Sequence, residues 1–337
     1  MKKKTLLISI GFIIIVTGLG TTVASLLFNR PIHTRTPEFI YIDEDDSADS
    51  VYLKMERNLS ASSLTGFKLL ARFRGYTVHP GAYRMNAGLN TLQIYRMLRS
   101  GHQTPVKLVV PSVRTLGQLA RAVSRQIMAD SASIAALLSD SVYCDSLGYT
   151  AETLPAFFIP NTYEVYWNMT ARAFVGRMQK EYNRFWNESR LNKAKAIGLT
   201  PVEVSTLASI VEEETANKAE KPQVAGLYLN RLRIGMPLQA DPTVKFALQD
   251  FGLRRILFKH LEVESPYNTY KHAGLPPGPI RIPSVEGLES MLNYSRHSYI
   301  YMCAKEDFSG THNFATTLSQ HLANARRYQA ALNRLQK

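Results

Sequence analysis

The sequence predicts an α+β protein carried on an N-terminal transmembrane helix. Three observations support that reading. Residues 5 to 28 form 24 positions without a charge, directly after Lys2, Lys3 and Lys4. Short strand candidates near 39–42, 81–84 and 106–110 alternate with segments of helical period. Several helix starts carry complete capping signatures. At 337 residues and 45% hydrophobic content, the chain can bury a sizeable core and hold about two domains beyond the anchor.

The anchor comes first. At about 1.5 Å per helical residue, Thr5 to Phe28 reaches roughly 36 Å, enough to cross a hydrocarbon core of about 30 Å with some tilt. The three lysines favour an N-terminus left inside, although Arg30 and Arg35 on the far side weaken the bias. A cleaved signal peptide is the competing reading, because Val23-Ala24-Ser25 loosely resembles a cleavage site. The apolar stretch is long for a signal. In both cases the remainder is exported. The expected division is 1–4 inside, 5–28 spanning, and 29–37 (NRPIHTRTP) a polar linker with two prolines.

After the linker, Phe39 to Ile42 reads as a strand and Ser47 to Phe73 as mostly helix. The next helix is well marked: Asn90 caps, Gln93 closes a capping box, Leu89 staples to Ile94 and Gly101 stops it. Strands at Gly81–Arg84 and Val106–Val110 flank it and complete a small α+β unit. Thr115 and Gln118 begin another helix. Residues 120 to 200 are mostly helical by period, interrupted at FFIPNTYEVYWN (157–168), where Pro160-Asn161 marks a turn beside a strand.

The segment TLASIVEEETA (206–216) sets three glutamates after an apolar run. Its helix starts at Thr200, with Pro201 in the first position, Glu203 closing the box and Leu199 stapling to Val204. At 3.6 residues per turn, Val204, Leu207, Ile210 or Val211, and Glu214 share one stripe. Glu212 and Glu213 turn away from it and are expected in solvent. A carboxyl on an apolar face is desolvated, which raises its pKa and suits it to general acid work. Period alone leaves a second reading open: Glu214 at a fraying helix end, paired with an Arg or Lys.

Downstream, NRLRIGMPLQADPTVKFAL (230–248) ends a helix near Gly235 and enters an extended turn through Gln239-Ala240-Asp241-Pro242. SPYNTYKHAGLPPGPIRIPS (265–284) is dense in Pro and Gly but carries Tyr267, Asn268, Thr269 and Tyr270. Aromatic faces beside amides and hydroxyls suit a sugar chain, although a stiffened surface loop has the same composition. His312 and His321 lack metal-site spacing, so a place in a polar network is expected for them. Cys144 and Cys303 are read as isolated buried thiols, with a disulfide the alternative in an exported chain. The formal charge is +13, but no RNP-like sequence, zinc-ligand spacing or long basic run accompanies it, which argues against nucleic acid.

TLASIVEEET, NRLRIGMPLQADPTV, SPYNTYKHAGLPPGPI and GTHNFATT, in this order, resemble the YceG-like endolytic murein transglycosylases. The likeness covers nearly everything past the linker. The PGAYRM…LRSG unit is similar to the LysM-like module of that family, which implies a βααβ-type module over 38–104 and a mixed α/β catalytic region over 105–337, its motifs within 200–321. One departure is Ile282-Pro283-Ser284, where the family often has an Asn-Pro-Gly-like turn. The resemblance implies cleavage of the MurNAc-GlcNAc bond inside peptidoglycan glycan strands, with the muramyl C6 hydroxyl closing on C1 to leave a 1,6-anhydro end. One glutamate preceding a Thr or Ser gives and retrieves the proton, and the matching residue is Glu214, followed by Thr215. It suggests Thr215, Gln239, Asp241, Tyr267, Asn268 and Thr269 as substrate-binding candidates, with Asp241, Glu262 or Glu264 as an alternative second carboxylate. No cofactor or metal is implied. The implied setting is the inner membrane, single-pass, with the catalytic region facing the cell wall and wall synthases as candidate partners. A silent peptidoglycan-binding scaffold and a hydrolytic muramidase are the alternatives.

Overall fold

The computed structural model describes residues 2–28, 38–86, 88–253 and 255–335, so the expected linker 29–37 lies outside the described residues. The chain forms two compact units. The first is Met1–Leu108 with Gln126–Met128 and Glu164–Met169. The second is Val109–Arg125, Ala129–Tyr163 and Thr170–Lys337.

The first unit begins with α1 (Lys2–Phe28), whose Leu7–Phe28 stretch is long and apolar enough to cross a membrane. Within it, Thr17 Oγ1 donates to Ile13 O at 2.8 Å and Thr21 Oγ1 to Gly18 O at 2.9 Å. These bonds satisfy hydroxyls that hydrocarbon could not. There follow β1 (Glu38–Ile42), α2 (Ala48–Glu56), α3 (Ala61–Arg74), β2 (Gly81–Met85) and α4 (Thr91–Ser100). The reciprocal Asn90–Gln93 capping box starts α4, and Gly101 ends it at φ 67°, a conformation glycine adopts without a Cβ penalty. β1 and β2 pair antiparallel, with Ile40 opposite Tyr83. Their inward residues join Phe67, Ile94 and Leu98 in one core.

β2 and β3 (Val106–Val110) flank α4 in sequence, as expected, and lie in different sheets. β2 lies on β1, and β3 lies on β4 (Asn161–Val165). Burial explains the choice, since β1 buries Ile40 and Ile42 and β4 buries Tyr163 and Val165. The inward residues of β1 and β2 share one core.

The second unit runs through α5 (Leu116–Ser124), α6 (Ser131–Ser139), α7 (Ser141–Ser146), a 3-10 turn (Leu154–Phe157), α8 (Ala171–Phe185) and α9 (Glu188–Ile197). Then come α10 (Pro201–Glu214), α11 (Lys221–Arg233), α12 (Asp241–Leu248), α13 (Phe258–Leu261) and α14 (Val285–Leu292). The antiparallel hairpin β5 (Tyr301–Ala304) and β6 (His312–Ala315), with Cys303 opposite Asn313, precedes α15 (Leu318–Leu335). That hairpin falls where the sequence was read only as a polar approach to the last helix.

α10 is the central element of this unit. Its start is the predicted one: Thr200 and Glu203 form the capping box, with Pro201 in the first turn. Every residue from Val204 to Val211 is buried, Ser205, Thr206 and Ser209 included. The helix is thus enclosed by α9, α11, α12 and α14 rather than lying on a surface with one apolar stripe. Its internal hydroxyls bond back to the helix, as Ser205 Oγ does to Pro201 O at 2.9 Å.

α11 crosses close to the segment before β5 at Gly226. A Cβ there would lie 2.2 Å from Ser295 O. Gly226→Ala should therefore push α11 away from that backbone and cost about 1–3 kcal/mol, the usual range for overpacking. A thermal melt measures it; an unchanged midpoint would show that the segment yields freely.

Candidate active site

Glu214 closes α10, where the helix leaves the core, and it is half-buried beside a cavity of about 210 Å³. The cavity is lined by Tyr228 from α11, Gln239 from the turn before α12, Asp241 from its first position, Tyr270 from the Pro- and Gly-rich loop, and His312 from β6. Tyr228 Oη donates to Glu214 Oε1 at 2.8 Å. Burial and the adjacent carboxyl hold the Tyr228 phenol well above its usual range, so it remains a donor.

Burial dominates the titration of Glu214. Although one side opens on the cavity, dense protein surrounds the carboxyl and desolvates its charged form. The Tyr228 hydrogen bond opposes this shift, the Asp241 charge adds to it, and His312 and Lys245 pull the other way. The outcome is a pKa pushed up to about 7. Such a carboxyl still carries its proton near neutral pH and can give it to a leaving oxygen.

The remaining walls are built by commitments to backbone. Arg231, buried on the same face of α11 as Tyr228, donates to Leu238 O at 2.6 Å and to Ile300 O at 2.7 Å. One guanidinium thus ties the loop before α12 to the start of β5. Gln239 adopts φ 51°, and its N–H donates to Thr269 O at 3.1 Å. A non-glycine residue in that region costs about 1–3 kcal/mol and persists only where neighbours enforce it. Asp241 is the first residue of α12 rather than part of an extended turn, and its Oδ1 accepts from Tyr270 Oη at 2.6 Å.

The seven sequence candidates fall into two sets. Glu214, Gln239 and Asp241 line the cavity together. Thr215, Asn268 and Thr269 are buried, with their polar groups spent inside the protein. Thr215 Oγ1 donates to Glu220 Oε2 at 2.8 Å. Asn268 Nδ2 holds Leu261 O at 2.7 Å and Val263 O at 3.0 Å. Thr269 Oγ1 accepts from Ala240 N at 3.0 Å. Tyr267 packs against the core, its ring 4.7 Å from that of Phe246. These four residues shape the loops that carry Gln239, Asp241 and Tyr270. Glu262 and Glu264 pair with Lys271 instead of entering the cavity.

Sequence reasoning passed over Tyr228, Arg231 and the Glu220–His312 pair. The (i, i+3) spacing of Tyr228 and Arg231 in LYLNRLR would have placed both on one helix face. Glu220 and His312 lie 92 residues apart and meet only through the fold.

The other two glutamates require a correction. Glu213 is not solvated: it accepts two bonds from Arg114, at 2.8 Å each, and a third from Arg281 at 2.9 Å. Glu212 Oε2 accepts from Ser284 N at 2.7 Å, just before α14. The outward face of α10 meets other elements there, so positions that turn from the apolar stripe still find protein. The Ile282-Pro283-Ser284 departure belongs to this corner, with Ile282 N donating to Val113 O at 2.8 Å. Cys144 and Cys303 are free thiols; Cys144 is buried and Cys303 half-buried at the cavity wall. Burial raises the Cys303 pKa, which keeps the thiol protonated and a poor nucleophile.

This arrangement places a glutamate of raised pKa beside a polar-lined cavity in an α+β scaffold. The chain belongs to the YceG-like family, whose sequence profile matches residues 40–327. It is 27% identical over 316 residues to the endolytic murein transglycosylase of Bacillus subtilis (strain 168), covering 89% of this chain and 87% of that protein. It is 26% identical over 269 residues to the endolytic murein transglycosylase of Streptococcus pneumoniae serotype 2 (strain D39), covering 71% of this chain and 49% of that one. The chain therefore spans about half the length of the pneumococcal relative. A crystal structure of a yceG-like protein from Listeria monocytogenes matches 86% of this chain and 99% of its own, with a TM-score of 0.58 at 26% identity.

Proposed function

We propose that the chain is a membrane-anchored endolytic lytic transglycosylase acting on peptidoglycan glycan strands, with Glu214 as its acid. The observation that carries this reading is the Glu214 carboxyl held at a pKa of about 7 beside a cavity lined by polar side chains. The relatives named endolytic murein transglycosylases supply the substrate class. Glu214 protonates the glycosidic oxygen between MurNAc and GlcNAc as the C1–O bond breaks. The muramyl C6 hydroxyl then closes on C1 and yields a 1,6-anhydro end, and its proton returns to Glu214. Attack from within the same sugar gains from proximity and needs no water. Gln239, Asp241 and Tyr270 present polar groups to the sugar, while Thr215, Tyr267, Asn268 and Thr269 hold the loops around it.

In this reading α1 keeps the protein in the inner membrane with its first residues cytoplasmic and the catalytic region over 105–337 facing the wall. Residues 38–104 form a LysM-like module that helps retain the glycan, and wall synthases are the partners that supply nascent strands. A hydrolytic muramidase has one observation in its favour, because Asp241 lines the same cavity and a second carboxylate could activate water.

Product mass separates these readings. Full-length protein in detergent micelles, incubated with purified sacculi, should release muropeptides with anhydro ends, each lighter by one water than a hydrolytic reducing end. Reducing ends would mean hydrolysis, and intact sacculi would leave a binding scaffold.

A further inference from the structure

We propose that His312 is the group that first accepts the proton of the attacking muramyl hydroxyl, so that the two proton transfers use two side chains. The inference rests on the lytic transglycosylase reading and deepens it. His312 lines the same cavity as Glu214, at the start of β6. Its ring is held from behind: Nδ1 meets Glu220 Oε2 at 3.0 Å, and its backbone N–H donates to Glu220 Oε1 at 2.6 Å. Glu220 is itself buried and is fixed by the Thr215 hydroxyl at 2.8 Å. A carboxylate on Nδ1 selects the tautomer with the proton there and leaves Nε2 as an acceptor. Among the described residues no hydrogen bond engages Nε2. Thr215, adjacent to Glu214, thus orients the Glu220–His312 pair.

The step balances. Glu214 gives its proton to the leaving GlcNAc oxygen as the C1–O4 bond breaks. The muramyl C6 hydroxyl oxygen bonds to C1 and its proton passes to Nε2. The enzyme is then left with a Glu214 carboxylate and a His312 imidazolium, which attract each other. Transfer of that proton from His312 to Glu214 restores the starting state. The titratable and charged groups around His312 are Glu214, Glu220, Tyr228, Arg231, Asp241, Tyr270 and Cys303. Of these, Glu214 is the acid and Glu220 the orienting carboxylate.

The test uses full-length protein in micelles on sacculi, reading the release of anhydro ends. His312→Gln should lower the rate by about 10² to 10⁴. His312→Ala should regain activity on addition of imidazole. A purely structural role would lose rate and would not respond to imidazole. A folded His312→Ala that gains nothing from imidazole overturns the proposal. His312→Gln at the wild-type rate also overturns it, leaving the lyase reading standing. Reducing ends from the wild type overturn both.

Discussion

Glu214→Gln is expected to lower the release of anhydro ends by about 10² to 10⁴, the range for a lost general acid. The amide keeps the size and still accepts the Tyr228 hydrogen bond, so the cavity retains its shape. A second readout comes from stability. Burial raises the folded-state pKa of Glu214 from 4.5 to about 7. Between those values the folded protein binds more protons than the unfolded chain, so stability falls as pH rises from about 4.5 to about 7 and then levels. The Gln variant cannot ionise. It should lose that component of the pH dependence and melt higher than the wild type above pH 7. Activity in the wild type should fall about tenfold per pH unit above about 7, following the protonated fraction. An active Glu214→Gln, with ordinary pH-dependent melting, would remove Glu214 from the chemistry and make Asp241 the residue to test.

Glu213→Gln is expected to harm the fold instead. Glu213 is 13% exposed in its side chain and answers two arginines, Arg114 and Arg281, which approach from different segments. Arg281 also donates to Ser112 Oγ at 2.8 Å, so the ion pairs join the end of α10 to the chain before α5 and the loop before α14. Removing the anion leaves two partly buried guanidiniums without their counter-charge. A loss of about 2–3 kcal/mol follows from the worth of charge-assisted bonds and the penalty for an unpaired charge. For a region of this size that is roughly 4–12 °C in melting temperature. A melt within about 1 °C of the wild type would show that water replaces Glu213 without loss. Residual activity, measured below the melt, should remain within about tenfold, because Glu213 does not line the Glu214 cavity. The contrast between neighbours in one EEE run is informative. Glu214 is expected to govern chemistry and its neighbour Glu213 stability.

Much of the local structure was legible from spacing. The capping boxes at Asn90, Thr115 and Thr200 formed as their three-residue intervals predicted, and the long uncharged stretch became α1. The strands near 39–42, 81–84 and 106–110 appeared within a residue or two of their expected bounds. The hairpin of β5 and β6 was not legible, because its burial is partial along β5 and leaves no clean alternation. The start of α12 at Asp241 was also missed. No side chain caps it, and Pro242 read as a turn residue when it was occupying a first helical turn.

By itself, the sequence determined the long apolar N-terminal helix, the order of most helices and strands, and the placing of Glu214 at the end of a helix whose apolar positions face inward. Those features depend on interactions between residues three or four apart, or on the composition of one continuous stretch, so spacing alone carries them. The tertiary structure alone decided that α10 is enclosed on all sides, that Glu213 and Glu212 meet arginines and a backbone N–H instead of water, and that β2 chooses β1 over β3. It also brought Glu220 to His312 at the wall of the Glu214 cavity. Each of these depends on which distant segment fills the space beside a residue, and burial, with the desolvation that moves the Glu214 proton, exists only once that space is filled.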